Sequence, residues 1–382
     1  MSHEVEQLDG APSLSGTGRR DSQAKREPDR AKPKERADAP GEGLRNGKDL
    51  LPSASLSASP YRARASRPLP EGEGGSLHRF ALFTACCTAF LIFLGGLVTS
   101  TQSGLSVPDW PTTYGWNMFT FPFSKWVGGI FFEHSHRLVA SFVGFLTVIL
   151  TLLTWLGEKR VWVKWLSAAA LGAIILQGVL GGLTVLFLLP APISTLHACL
   201  AQTFFCLVIT ITVVTSPQWK QGLPLIQSHA ERVPVRILCG MTTAAVYFQL
   251  ILGALMRHTN AGLAIPDFPL AFGQIIPPFS SNKVVIHFSH RIGAVIVATM
   301  IVWTFVRIAR SYSNQVLLFR PALVMFALVA GQLTLGALTV WTAKAVLPTT
   351  AHVLTGALIL GTSFLLTLRA YAMGAHAYRD PR

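Results

Sequence analysis

The chain has 382 residues, 51% of them hydrophobic and 13% charged, with a mean hydropathy of +0.45. Soluble domains carry about 25% charged residues, so this balance excludes an ordinary soluble protein and points to the membrane. The net charge of +14 invites a nucleic-acid partner. We reject that reading, because residues 1–79 hold 14 of the 32 Lys/Arg and 12 of the 18 Asp/Glu. The excess falls instead in short loops between apolar segments, the positive-inside pattern rather than a nucleic-acid patch.

Residues 1–78 are rich in Pro, Gly, Ser, Ala, Arg and Glu and lack apolar periodicity, so they are expected to be a disordered polar tail. The acids within it argue against a transit peptide. From about residue 80 come eight apolar segments near the ~20 residues needed to cross a bilayer. They run roughly over 80–101, 134–156, 161–187, 193–215, 234–257, 286–309, 319–342 and 348–372. Basic residues collect in the loops after the second, fourth and sixth segments (Lys159, Arg160, Lys164; Lys220, Arg232, Arg236; Arg307, Arg310, Arg320). Both termini are therefore expected on the cytoplasmic side. The five cysteines, Cys86, Cys87, Cys199, Cys206 and Cys239, all lie in apolar segments and show no CxxC or disulfide framework.

The membrane portion repeats itself. Gly104-Leu105-Ser106-Val107-Pro108-Asp109-Trp110-Pro111 returns as Gly262-Leu263-Ala264-Ile265-Pro266-Asp267-Phe268-Pro269. Leu94-Gly95-Gly96-Leu97 returns as Leu252-Gly253-Ala254-Leu255, and Gln177 through Val185 as Gln332 through Val340. Four helices per unit make the copies parallel about the membrane normal. The expected fold is an all-α integral membrane protein, eight transmembrane helices forming two tandem, parallel-repeat four-helix bundles. Its expected units are an N-terminal bundle over 79–217, an inner linker over 218–232, a C-terminal bundle over 233–373 and a tail over 374–382.

Four histidines follow the repeat, with 61 residues from His136 to His197 and 62 from His290 to His352. The topology puts all four within the first turns of helices two, four, six and eight, at one depth near the outer face. A lone imidazole there can satisfy itself on a neighbouring helix. Two pairs at matched spacing suit six-coordinate haem iron better, whereas zinc would want a third or fourth ligand nearby. Arg137 and Arg291 follow the first histidine of each pair. Either can snorkel to headgroups, but the duplication favours pairing with a haem propionate.

The Gly-Leu-x-x-Pro-Asp-aromatic-Pro segments cannot be helical and read as outer loops, in which Asp109 and Asp267 are candidate turn caps. Glu133 lies three residues before His136 and shares its face, while the matching second-copy position is His287. A glutamate at a helix start is also favoured by the dipole alone. One acidic pocket beside one without an acid suggests chemistry in the first copy and electron delivery or structural support in the second. His134 is expected to be an interfacial residue.

These motifs together, Glu133 to Arg137 as Glu-x-x-His-Arg, the two loops, His197, Ser289-His290-Arg291 and His352, resemble the heme A synthase family of eight-helix membrane proteins. The resemblance spans about residues 80–372. It implies oxidation of the C8 methyl of heme O to the formyl of heme A, by successive hydroxylations, for assembly of terminal oxidases. It also implies a heme b ligated by His290 and His352. Heme O as substrate would lie between His136 and His197, with Glu133 essential nearby. Some members carry a cysteine pair in the first outer loop; residues 102–132 here contain none. The implied partners are the heme O synthase, an electron donor and membrane lipid, with a homo-oligomer left open. The implied location is the bacterial plasma membrane, ahead of the mitochondrial inner membrane. The competing readings are a diheme b-type electron-transfer protein and a parallel-repeat transporter. A transporter would break its helices at the bilayer midplane, whereas the breakers here cluster in the outer loops.

Overall fold

A computed structural model describes residues 73–226 and 233–374. Eight of its helices are long and apolar enough to cross a membrane. They are α1 (Glu73–Ser100), α2 (Gly128–Gly157), α3 (Val161–Leu186), α4 (Ala191–Thr215), α6 (Val235–His258), α7 (Asn282–Ser311), α8 (Val316–Trp341) and α9 (Val346–Gly374), with the short α5 (Pro217–Gln221) between the halves. The chain is an all-helical integral membrane protein, as its composition requires, since lipid leaves a backbone no partner but itself. Threonines inside the spans return their hydroxyls to the carbonyl four residues back, as Thr88 does to Thr84 and Thr147 to Val143. This keeps polar side chains satisfied without water.

α1 packs on α2 and α4, and α3 packs on the same two, closing a ring of four. α6, α7, α8 and α9 close a second ring in the same order. The rings meet through α1 on α9, α4 on α6, and α4 on α9. Close approach at that seam needs glycine: a Cβ on Gly361 would stand 2.9 Å from Phe205 and Ile209, and one on Gly96 would stand 3.4 Å from Val353. Apolar clusters fill both rings, the first around Val143, Leu150, Phe204 and Ile211, the second around Ile301, Leu318, Met325 and Leu360.

The two halves also match in backbone detail. α1 and α6 end with a left-handed residue, Gln102 (φ 55) and Asn260 (φ 57). In each case the following amide reaches five residues back, Ser103 to Val98 and Ala261 to Met256, which closes the helix end. α3 and α8 each end in two left-handed residues, Leu188–Leu189 and Ala343–Lys344. Trp110–Pro111 and Phe268–Pro269 are both cis.

Some boundaries differ from expectation. α1 begins at Glu73, inside the expected tail, and α2 and α7 begin at Gly128 and Asn282, six and four residues early. Part of the expected linker is structured, as α5 and as a segment whose Ile226 amide donates to the Met373 carbonyl (3.1 Å). Residues 1–72, 227–232 and 375–382 of the expected tails and linker lie outside the described residues.

At the end of the bundle opposite the repeated loops, Glu158 pairs with Arg160 (2.7 Å) and Lys220 (3.8 Å). The hydrogen-bonded Arg160 guanidinium, opposed by burial, holds the Glu158 carboxyl down at about 2.

Candidate functional site

The four histidines lie at one level. His136 and His290 are eight residues into α2 and α7, and His197 and His352 are six residues into α4 and α9. Each ring faces a glycine of the preceding helix that sits five residues before that helix's end. A Cβ on Gly95, Gly181 or Gly336 would lie 3.2 Å from Cε1 of His136, His197 or His352, and one on Gly253 would lie 3.0 Å from that of His290. A methyl there would crowd the ring, so the glycines set where each imidazole stands. Within each ring of helices the two histidine-bearing helices are diagonally opposed. His136 and His197 lie within electrostatic reach of one another, as do His290 and His352.

Glutamines repeated in the sequence serve these histidines. Gln177 Nε2 donates to the His197 carbonyl (2.9 Å), and Gln332 Nε2 lies 3.3 Å from His352 Nε2. His352 Nδ1 donates to the Gln332 carbonyl at 3.2 Å, so Nε2 is the acceptor nitrogen of that ring and takes the Gln332 side-chain amide. The His290 backbone carbonyl accepts from Gln249 Nε2 (2.7 Å), which also lies 3.1 Å from His290 Nδ1. The first half has no such amide, since Leu91 occupies the position corresponding to Gln249. Gly293 makes room for Gln249, whose Oε1 would collide with a Cβ there, and its counterpart is Val139. Nδ1 of both His136 and His197 is buried without a hydrogen-bond partner among the described residues.

A two-imidazole centre of this form fits a haem, held between diagonal helices with glycines giving the rings room. Among the described residues no cluster of three or more His, Cys, Asp or Glu could hold an ion, so the multi-ligand zinc alternative has no ligand set.

The repeated loops close this end of both rings. Asp109 accepts from Thr112 Oγ1 (2.5 Å) and from the amides of Tyr114 (2.7 Å) and Gly115 (2.9 Å). Asp267 accepts from the amides of Phe272 (2.7 Å) and Gly273 (2.8 Å). Both aspartates thus cap a tight turn whose central residues are left-handed, Tyr114–Gly115 and Phe272–Gly273. Partial burial works against the charged form of Asp109, but the Gly115, Thr112 and Tyr114 bonds win and lower its carboxyl below the usual value. Amide bonds from Gly273 and Phe272 lower that of Asp267.

Arg137 clasps the first loop, donating to the carbonyls of Asp109 (2.7 Å), Thr112 (3.1 Å) and Val107 (2.9 Å) and to Glu133 Oε1 (2.6 Å). Glu133 Oε2 accepts the Val107 amide at 2.9 Å. Arg291 clasps the second loop through the carbonyls of Leu270 (2.8 Å), Ile265 (3.2 Å) and Asp267 (2.7 Å). His287 stands where Glu133 stands in the first half, with Nδ1 3.2 Å from the Ile265 amide and Nε2 3.3 Å from Arg291 Nε. A carboxylate accepts both donors at once, whereas a neutral imidazole has one acceptor nitrogen. The first clasp is therefore the stronger.

His134 turns inward, away from lipid and water. It is fully buried, its Nδ1 3.2 Å from Thr113 Oγ1 and its ring packed against Phe121 and Trp126. The early start of α2 draws it under the loop. The structure thus brings Glu133, Arg137, His136 and His197 to one end of the first ring, and Arg291, His290 and His352 to the same end of the second.

The COX15-CtaA family model, described as cytochrome oxidase assembly protein, matches residues 78–364, which include all four histidines and both loops. A protein of Shouchella clausii named heme A synthase is 30% identical over 278 residues, covering 71% of this chain and 89% of the relative. One of Geobacillus kaustophilus with the same name is 29% identical over 301 residues, covering 77% of this chain and 91% of the relative.

Proposed function

Because the chain belongs to the COX15-CtaA family of cytochrome oxidase assembly proteins, we propose that it is a heme A synthase, an oxidoreductase of the bacterial plasma membrane. It oxidises the C8 methyl of heme O to a formyl group by successive hydroxylations. The observation that carries this reading is the duplicated, glycine-backed histidine pair, with a carboxylate clasp over only one of the two.

His136 and His197 take the substrate heme O in the first ring, and His290 and His352 hold a heme b in the second. That heme b supplies one-electron chemistry when bound. The Gln332 backbone carbonyl accepts from His352 Nδ1 and Gln249 donates to the His290 backbone carbonyl, contacts that hold these two residues in place and suit a permanent cofactor. The first pair lacks the Gln249 contact and keeps its Nδ1 atoms unbonded, which suits a substrate that must enter and leave. Arg137 and Arg291 hold the loops over the pockets and place positive charge at that rim for a propionate. Glu133, three residues before His136 on α2 and paired with Arg137, stabilises positive charge developing at the haem periphery or relays a proton. The basic residues Arg160, Lys220 and Arg320 at the opposite end support a cytoplasmic location for that end, where α1 starts and α9 finishes. The heme O synthase and an electron donor are the expected partners.

The test is co-expression with a heme O-producing enzyme, followed by chromatography of extracted haems. Heme A or its hydroxylated precursor supports the reading. A folded, haem-loaded protein yielding neither would refute it and favour the diheme electron carrier.

A further inference from the structure

One face of α6 carries Gln249, Gly253 and Arg257 at four-residue spacing, so the three stack along the helix. Gln249 meets His290 and Gly253 backs its ring. Arg257 comes one turn nearer the helix end. The corresponding face of α1 reads Leu91, Gly95 and Thr99, with no charge. Arg257 is therefore a feature of the second half alone.

Its Nη2 donates across the seam to the Gly96 carbonyl (2.8 Å) and to Ser100 Oγ (2.9 Å), both on α1. Gly96 in turn faces Val353 and Thr350 of α9, next to His352. The guanidinium is within electrostatic reach of His352, and also of His258 beside it. Among the described residues Arg257 has no carboxylate partner. A part-buried cation between membrane helices is costly without a counter-charge, and both of its visible acceptors are neutral. A guanidinium offers five donors in a planar fork, and one of its terminal nitrogens accounts for both contacts to α1.

We propose that Arg257 is a carboxylate-binding residue at the rim of the second histidine pair, and that its ligand is a propionate of the haem held there. This rests on the assignment of a haem to His290 and His352. Since the same guanidinium holds α1, filling the second site also fixes the helix whose Gly95 backs His136 in the first.

The test uses the full chain in detergent, freed of haem and titrated with heme b or with its propionate dimethyl ester, while the low-spin absorption band is followed. The ester keeps the iron and ring but loses both carboxylates. A charge-assisted pair predicts that the wild type prefers the free acid at least about tenfold. In R257Q the preference should fall to about twofold, with ester binding unchanged. S100A, which loosens only the tie to α1, should keep it. Equal binding of acid and ester by the wild type, or an undiminished preference in R257Q, overturns the proposal. If R257Q does not fold, R257K replaces it. Lysine keeps the charge without the fork, so the preference should drop at least about threefold, and no drop overturns the proposal. H352A tests the ligand assignment separately from Arg257: if it retains the low-spin band, His352 is not a haem ligand.

Discussion

Truncating Glu133 tests the loop clasp most sharply. In Glu133→Ala two contacts vanish together, the 2.6 Å pair with Arg137 and the 2.9 Å bond from the Val107 amide. Val107 is fully buried, so its amide is left without a partner, which costs about 1–3 kcal/mol. Arg137, whose side chain is 10% exposed, loses its counter-charge. Breaking a buried pair from one side costs about 3–5 kcal/mol, and the three carbonyls still bound to Arg137 keep the total near that range. With roughly 2–4 °C per kcal/mol for large domains, melting should fall on the order of 10 °C. Glu133→Gln keeps one acceptor and should lose about 1–2 kcal/mol, the difference between charged and neutral hydrogen bonds. Glu133→His copies the second clasp and should fall between the two. The assay is thermal unfolding of the purified protein in detergent, paired with limited proteolysis of loop 101–127. Wild-type melting and unchanged cleavage in Glu133→Ala would refute the clasp. If Glu133→Gln keeps the loop protected but loses formyl product, the carboxylate acts in chemistry as well as in structure.

Gly253→Ala or Gly336→Ala should push the His290 or His352 ring off its position; the low-spin b-type spectrum should shift or weaken, and an unchanged spectrum would show the glycines do not set the rings. His290→Ala should abolish that spectrum, while His136→Ala should leave it in place; the reverse result would exchange the roles of the two halves. The Glu158 carboxyl, ordinarily titrating near 4.5, is depressed to about 2 in the folded chain. Its contribution is therefore fully present above pH 4.5 and lost as the pH falls toward 2. Glu158→Gln should flatten that acid limb of a pH–melting profile, and an unaltered limb would remove Arg160 and Lys220 as its partners.

The eight spans were legible because lipid demands long apolar runs, and the histidine pairs were legible because the repeat gives them a common spacing. Helix starts were less so. Gly128 and Gly129 read as loop, yet they open α2, where a Cβ on Gly129 would collide with Ser106 Oγ. That packing is long-range and leaves no local signal. The Glu133/His287 exchange was visible by aligning the copies, but not what either side chain does, since each accepts an amide 22 or 26 residues away. Asp109 and Asp267 could be read as turn caps from their Pro-Asp-aromatic-Pro setting. The loop carbonyls held by Arg137 and Arg291, the burial of His134 and the cross-seam reach of Arg257 belong to tertiary contact alone. Gln249 with Gly293, against Leu91 with Val139, did have a signal: an amide and a glycine replace two apolar residues at matched positions.

We propose that the first histidine pair takes heme O to be oxidised while the second keeps its own haem. The most direct test supplies heme O, a reductant and air to the purified full chain and follows the C8 methyl by mass spectrometry of the extracted haem. The wild type should form the hydroxylated and formyl products. The double variant His136→Ala/His197→Ala should form neither while retaining heme b. Product formation surviving that double change, or its absence from a folded wild type loaded with both haems, would overturn this division of roles.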